Sequence, residues 1–324
     1  MERTGVLLLQ MGGPRSLDEV ESYIQRLFND PYLVRLPFWV NLFRGPLSRR
    51  VARKRAPEVR EQYALIGGSS PNNRVTAEQA AALQLDLGAD FRCYAAMAYT
   101  PPTIGEALRA AMKDGCTRWV AVSMFPQYCT ASTEAAFAEL RTEIAAAGVD
   151  AGRVAWVERW GDNPAYLDAL AADVKKTVKA AVDEGPGAPH LVISAHGIPI
   201  SYIESGDPYI QEIESSLAGL RQRLPASIPI TLAFQSRATP VKWKEPSTID
   251  TLTKLGQEGV RNIVVLPISF VNDHIETLYE IDIQLADIAR SFGVESYRRV
   301  PVFNVDSRLT AILRELVLEK VAAQ

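Results

Sequence analysis

Asn262-Ile-Val-Val-Leu266 runs directly into Pro267-Ile-Ser-Phe-Val-Asn-Asp-His-Ile-Glu-Thr-Leu-Tyr-Glu-Ile-Asp282, and this junction decides the fold. The first piece is a short apolar, β-branched run, the pattern of a strand covered on both faces of a parallel sheet. In the second, Asp273 is a suitable N-cap, Glu276 three residues on completes a capping box, and Ile275, Leu278 and Ile281 form a helical apolar stripe. The joint lies at the strand's carboxyl end, where open α/β sheets bind ligands. His274, Glu276, Glu280 and Asp282 all fall there. Glu276 and Glu280 share one helix face, next to an imidazole at the helix start. Such a set suits a divalent first-row metal or the relay of protons. Helix capping with solvated carboxylates is the plainer alternative.

Working outward, apolar runs at 5–11, 91–97, 118–124, 153–157, 190–195, 229–234, 261–268 and 296–301 are separated by helix-length segments. That alternation predicts βαβ units and an α/β fold with parallel sheets, four strands in each half. The halves resemble each other. Gly5-Val-Leu-Leu-Leu-Gln-Met-Gly-Gly-Pro14 lies over His190-Leu-Val-Ile-Ser-Ala-His-Gly-Ile-Pro199, and Arg118–Tyr128 lies over Arg261–Val271. A duplication of this kind gives two doubly wound domains facing each other across a cleft. Met11 of one half then stands opposite His196 of the other, both after strands on glycine-opened turns. We place the boundary between 165 and 166, with domains 1–165 and 166–324 and the last helix packing back on the first domain.

The 35 basic and 38 acidic residues leave a net charge of −3, which implies no nucleic-acid partner. Cys93, Cys116 and Cys129 sit at no metal-ligand spacing, and an odd count does not make a disulfide framework, so they are expected to be reduced thiols in a cytoplasmic protein. Val6–Leu9 is too short for a signal segment, and no window reaches the ~18 apolar residues of a membrane span. One stretch stands apart. Pro31-Tyr-Leu-Val-Arg-Leu-Pro-Phe-Trp-Val-Asn-Leu-Phe43 gathers large apolar side chains around prolines, and Ser48-Arg-Arg-Val-Ala-Arg-Lys-Arg55 follows with its cations. It reads either as a core helix followed by a solvated face or as an apolar lip, over 31–47, that receives a flat ligand or touches the inner face of a membrane.

With these pieces together, the sequence resembles the ferrochelatases, enzymes that insert ferrous iron into a porphyrin. The likeness is carried in order by Gln10–Pro14, Glu61–Pro71, Pro126-Gln-Tyr128, Ser194-Ala-His-Gly-Ile-Pro199, Gly206-Asp-Pro-Tyr209, Phe234-Gln-Ser-Arg237 with Trp243, and Ser269–Glu280. It implies two Rossmann-like domains with the porphyrin in the cleft between them. It also implies that His196 is the catalytic histidine and Glu276 its acidic partner across the ring, the two sharing contact with the metal. Asp273, His274 and Glu280 match the polar residues leading to that site, and Phe270 an aromatic beside it. The helix bearing the carboxylates is implied to be wide-turned. Met11, Tyr128, Tyr209 and Trp243 match residues lining the porphyrin pocket, while Arg55, Ser70 and Arg237 match positions that meet its propionates.

Two features refine the resemblance. Met11 resembles the members that use protoporphyrin IX, since relatives acting on coproporphyrin present tyrosine there; coproporphyrin III is the alternative substrate, and a porphyrin or haem carrier the alternative of another class. Ala98 departs from the arginine many members carry, so one anionic contact is missing or supplied from elsewhere. The sequence reaches Gln324 without the cysteine-bearing extension of some relatives, and we expect no iron–sulfur cluster and no permanently bound cofactor, with Fe²⁺ as substrate. A transient contact with the preceding pathway enzyme is a further expectation.

Overall fold

The computed structural model describes residues 2–237 and 239–323. Its strands are β1 (Arg3–Gln10), β2 (Phe91–Met97), β3 (Cys116–Ser123), β4 (Val154–Val157), β5 (His190–His196), β6 (Ile230–Gln235), β7 (Asn262–Pro267) and β8 (Ser296–Arg299). Each lies within two residues, at either end, of an apolar run read from the sequence. All ladders are parallel, with order β2-β1-β3-β4 in one sheet and β6-β5-β7-β8 in the other. The same order occurs twice, as the internal repeat predicts.

The chain divides into two compact units, Met1–Arg159 with Phe303–Gln324, and Trp160–Val302. The break therefore precedes 165/166. Trp160 packs edge-on against Tyr166 at 5.1 Å, so the start of helix Pro164–Glu184 belongs with the second unit. Residues 303–324 group with the first unit rather than with 166–302, because helix Ser307–Ala322 packs on helix Asn72–Leu87 and on β3 and β4.

In the first unit, Val6, Leu7, Leu8 and Leu9 are all inaccessible. Successive strand residues point to opposite faces, so β1 is covered on both sides. Leu7 and Leu9 join Ile104, Leu108, Trp119 and Phe137 in one core. In the second unit Val192, Ile263 and Val265 meet Leu252, Ile281 and Leu285.

The segment after β7 is not an ordinary helix. Glu276–Leu285 is π-helical, as is the shorter Thr130–Glu134 after β3 in the other unit. The α-spaced stripe Ile275, Leu278 and Ile281 is accordingly corrected: the buried face is Thr277, Ile281 and Leu285, because i→i+5 pairing widens each turn.

The capping box is corrected too. The Asp273 carboxylate accepts from Thr277 Oγ1 at 2.9 Å. The imidazole of His274 takes over, with Nδ1 accepting the Glu276 amide at 3.1 Å, while Thr277 Oγ1 accepts from the His274 amide at 3.0 Å.

Residues 31–43 do not form a core helix. Phe38, Trp39, Leu42 and Phe43 are 84%, 70%, 73% and 65% exposed. The guanidinium of Arg44 holds the segment from beneath, donating to the carbonyls of Asp30 (3.1 Å) and Val34 (2.8 Å) and to Asn41 Oδ1 (2.6 Å). Arg49, Arg50, Arg53 and Lys54 on helix Arg44–Leu65 are exposed as well. Among the described residues no helix is long and apolar enough to cross a membrane.

Candidate active site

The carboxyl edge of the second sheet builds the site. His196 ends β5, and Gly197, next in the chain, donates to the carbonyl of Gln235 at the end of β6 (2.7 Å). A methyl on Gly197 would lie 2.5 Å from that oxygen. Only backbone movement relieves such a contact, so Gly197→Ala is expected to cost about 1–3 kcal/mol, read as a lower denaturant midpoint. His196 is fixed further by its amide, which donates to Ser269 Oγ at 3.1 Å. Ser269 Oγ in turn shares a 2.7 Å hydrogen bond with the buried Tyr209 hydroxyl.

From this strand end the imidazole reaches the first turn of the wide helix, where Nδ1 lies 2.9 Å from Glu276 Oε2. In the tautomer that lets Nδ1–H donate to the carboxylate, Nε2 keeps its lone pair. The His196 side chain retains 40% of its surface accessible. Burial opposes the charged imidazole, but the charge and hydrogen bond of Glu276, joined by the charge of Glu280, outweigh it and raise the His196 pKa above 6.5. Burial likewise opposes ionisation of Glu276, and is overcome by His196, His274 and Ser236, which hold that carboxyl at about 2.

Glu280 is set differently. Burial and the charge of Glu276 raise its pKa, against the hydrogen bonds it receives from Ser236 and Gln235. Gln235 Nε2 donates to Glu280 Oε2 at 3.0 Å and to the Glu276 carbonyl at 3.2 Å; the Ser236 amide donates to Glu280 Oε1 at 2.7 Å and its hydroxyl to Oε2. Two neighbouring carboxyls pushed in opposite directions are the arrangement that separates proton donors from acceptors.

His274 is shifted the other way, with its pKa lowered below 6.5. Burial is the largest influence lowering its pKa, and the amide of Glu276 already occupies Nδ1. Phe270 stands edge-on to it at 4.5 Å and to His196 at 6.2 Å. Among the described residues no three His, Cys, Asp or Glu side chains converge to hold a metal ion.

Comparison with known proteins decides the family: the profile for ferrochelatase matches residues 3–321. The chain belongs to the ferrochelatase family. It is 42% identical to the ferrochelatase of Geotalea uraniireducens, covering 100% of this chain and 99% of that one. It is also 42% identical to the ferrochelatase of Geobacter metallireducens over 98% of each. In fold it resembles SirB from Bacillus subtilis with Fe³⁺ (TM-score 0.52, 10% identity, 98% of this chain and 95% of that one). It resembles equally CbiX, the terminal enzyme for siroheme biosynthesis in denitrifying bacteria (TM-score 0.52, 14% identity, 98% and 99%). Ferrochelatases are metal chelatases of haem biosynthesis acting on porphyrin and ferrous iron, and this chain is one of them.

Within this ferrochelatase, the edge of the second sheet brings together His196, Glu276, Glu280, His274 and Phe270. The direct contact of His196 with Glu276 corrects their implied placement across the ring. A planar macrocycle needs about 7 Å between groups on its two faces, twice an ordinary carbon contact, and a gap of 2.9 Å admits none. The two side chains therefore lie on the same side of any such ring. Asp273 turns away to Arg299 at 3.1 Å. Trp243 is buried under the His196–Pro199 turn, with Nε1 donating to the Thr239 carbonyl at 2.8 Å, and Arg237 pairs with Glu245 at 2.7 Å.

In the first unit, Met11 follows β1, and Ser70 is buried beside Gly13, its amide donating to the Pro14 carbonyl at 2.8 Å. The guanidinium of Arg55 lies 5.5 Å from the Phe28 ring. The Tyr128 hydroxyl donates to Glu134 at 3.2 Å, and the Arg159 guanidinium lies 5.2 Å from its ring.

Sequence reading assigned no role to Gln235, Ser236, Ser269 or Arg299. The first three lie inside the quoted motifs, so a signal existed. Arg299, on a separate strand, offered none.

Proposed function

We propose that this chain inserts Fe²⁺ into protoporphyrin IX, giving protohaem and two protons, with His196 as the base. The observation that carries this is the His196 imidazole at a strand end, held at Nδ1 by Glu276 with Nε2 left to act. Each pyrrole N–H must lose its proton as the metal enters. Nε2 accepts one, and the imidazolium so formed is stabilised by the carboxylate already touching Nδ1. Glu280, with its raised pKa, is the neighbouring carboxyl best suited to carry protons onward. The second proton leaves after His196 has discharged the first. A site that favours a bent ring over a flat one lowers the barrier further by differential binding. Met11 supports protoporphyrin over coproporphyrin through the family resemblance.

The test offers Fe²⁺ or Zn²⁺ with protoporphyrin and with coproporphyrin to the same enzyme and follows the absorption spectrum. Higher kcat/KM with protoporphyrin is expected, and preference for coproporphyrin would overturn the substrate. Binding of either ring without metallation would mark a carrier.

The four exposed apolar side chains at 38–43, backed by exposed Arg49, Arg50, Arg53 and Lys54, also support peripheral docking on an anionic bilayer at the cytoplasmic face. Apolar insertion and attraction to headgroups add in such a patch. Phe38→Ser with Trp39→Ser is expected to weaken sedimentation with phosphatidylserine vesicles while the melting temperature holds. Undiminished binding would argue against the lip.

A further inference from the structure

The wide helix Glu276–Leu285 poses a question of its own: ten residues of π-helix are far more than the single turn in which this winding normally occurs. Nothing in Glu-Thr-Leu-Tyr-Glu-Ile-Asp-Ile-Gln-Leu favours i→i+5 over i→i+4 pairing. The winding must be imposed by neighbours. Its inner face is held by the core through Ile281 and Leu285, but apolar packing accepts a rotation more readily than polar contacts do.

The polar contacts come from β8. Tyr297 donates its hydroxyl to the Ile281 carbonyl at 3.0 Å. Arg299 forks onto Asp282, Nε to Oδ1 at 2.7 Å and Nη2 to Oδ2 at 2.9 Å. Its Nη1 lies 3.1 Å from Asp273 Oδ1, on the other side of the segment. One guanidinium, 13% exposed, thus joins a carboxylate before the helix to one in its second turn. His274, Glu276 and Glu280 all lie between the two. Rewinding to i→i+4 would change the rotation and rise at every residue in between, and one guanidinium could no longer hold Asp282 by its two-bond fork while Nη1 stays in ion-pair range of Asp273. Arg299 hydrogen-bonds Asp282 and pairs with Asp273 rather than with His196 or the two glutamates, and its charge reaches His274; what depends on the fork rather than on that charge acts through the helix.

We propose that Arg299 is a positioning residue for metal insertion: by clamping Asp273 to Asp282 it holds the helix in the wide winding that presents Glu276 to His196 and Glu280 to Gln235 and Ser236. This rests on the reading of His196 and Glu276 given above. It separates geometry from charge, because a lysine keeps the positive charge but cannot make the fork.

Arg299→Lys and Tyr297→Phe are the variants. Both are compared with the wild type for kcat and porphyrin KM in Zn²⁺ insertion, and for amide hydrogen exchange across residues 276–285. The clamp predicts at least a tenfold lower kcat for Arg299→Lys with porphyrin KM unchanged, together with faster exchange confined to 276–285. Tyr297→Phe shows a smaller change of the same kind. Wild-type kcat in Arg299→Lys, or wild-type exchange in that helix, overturns the proposal. A wild-type enzyme that fails to metallate any porphyrin sinks the reading of the site instead, and the exchange data still decide the clamp.

Discussion

His196→Ala loses metal insertion by a factor on the order of 10²–10⁴, the span a positioned general base contributes, while porphyrin binding followed by fluorescence is retained. The reason is local. Removing the imidazole takes away the proposed proton acceptor but leaves the β5–β6 hydrogen bond of Gly197 and the Ser269–Tyr209 support in place. The fold therefore does not depend on it. Zn²⁺ insertion into protoporphyrin, measured with the variant above saturation, separates the two effects. Equal loss of binding and turnover would mean that His196 holds the ring and does not act on its protons. Turnover near the wild-type rate would remove the histidine from the reaction.

The second large effect is expected at Glu276. Replacing it by glutamine keeps size and a hydrogen-bond acceptor for Nδ1–H but deletes the charge that stabilises the imidazolium, so kcat/KM falls steeply. The pH dependence carries more information than the fall. In the wild type His196 must be neutral to accept a proton, and its pKa is raised above 6.5. Activity is therefore lost as the pH drops through a value above 6.5. In Glu276→Gln the largest upward influence is gone and burial, which lowers the pKa, is less opposed. The acid limb of kcat/KM moves to lower pH. A limb that stays where the wild type has it would show that Glu276 does not govern this titration.

The contrast between Glu276 and Glu280 explains why the two must be tested separately. They lie four residues apart on one helix, yet one is held at about 2 and the other is raised. Glu276 hydrogen-bonds an imidazole, whereas Glu280 is hydrogen-bonded by the neutral donors of Gln235 and Ser236 and feels the charge of Glu276 itself.

The sequence by itself determined the sheets and the edge on which the site is built. β-branched runs such as Asn262–Leu266 have one favourable fate, burial in a parallel sheet, and Gly-x-Pro turns after two of them mark strand ends in both halves. Those signals are local in the chain, and so are the motifs that contain His196 and Glu276. The wide winding was implied only by the family resemblance, and what the tertiary structure alone decided is which residues meet it and everything else that depends on distant partners. Spacing could not tell an α-helix from a π-helix, because the choice is made by contacts with Tyr297 and Arg299 some twenty residues downstream. For the same reason the ion pair of Asp273 with Arg299 was not legible, and Glu276 was set across a ring when it touches His196. The exposure of Phe38 and Trp39 belongs to the same class: a run of apolar residues states what prefers to be buried, and only the folded chain shows whether anything covers it.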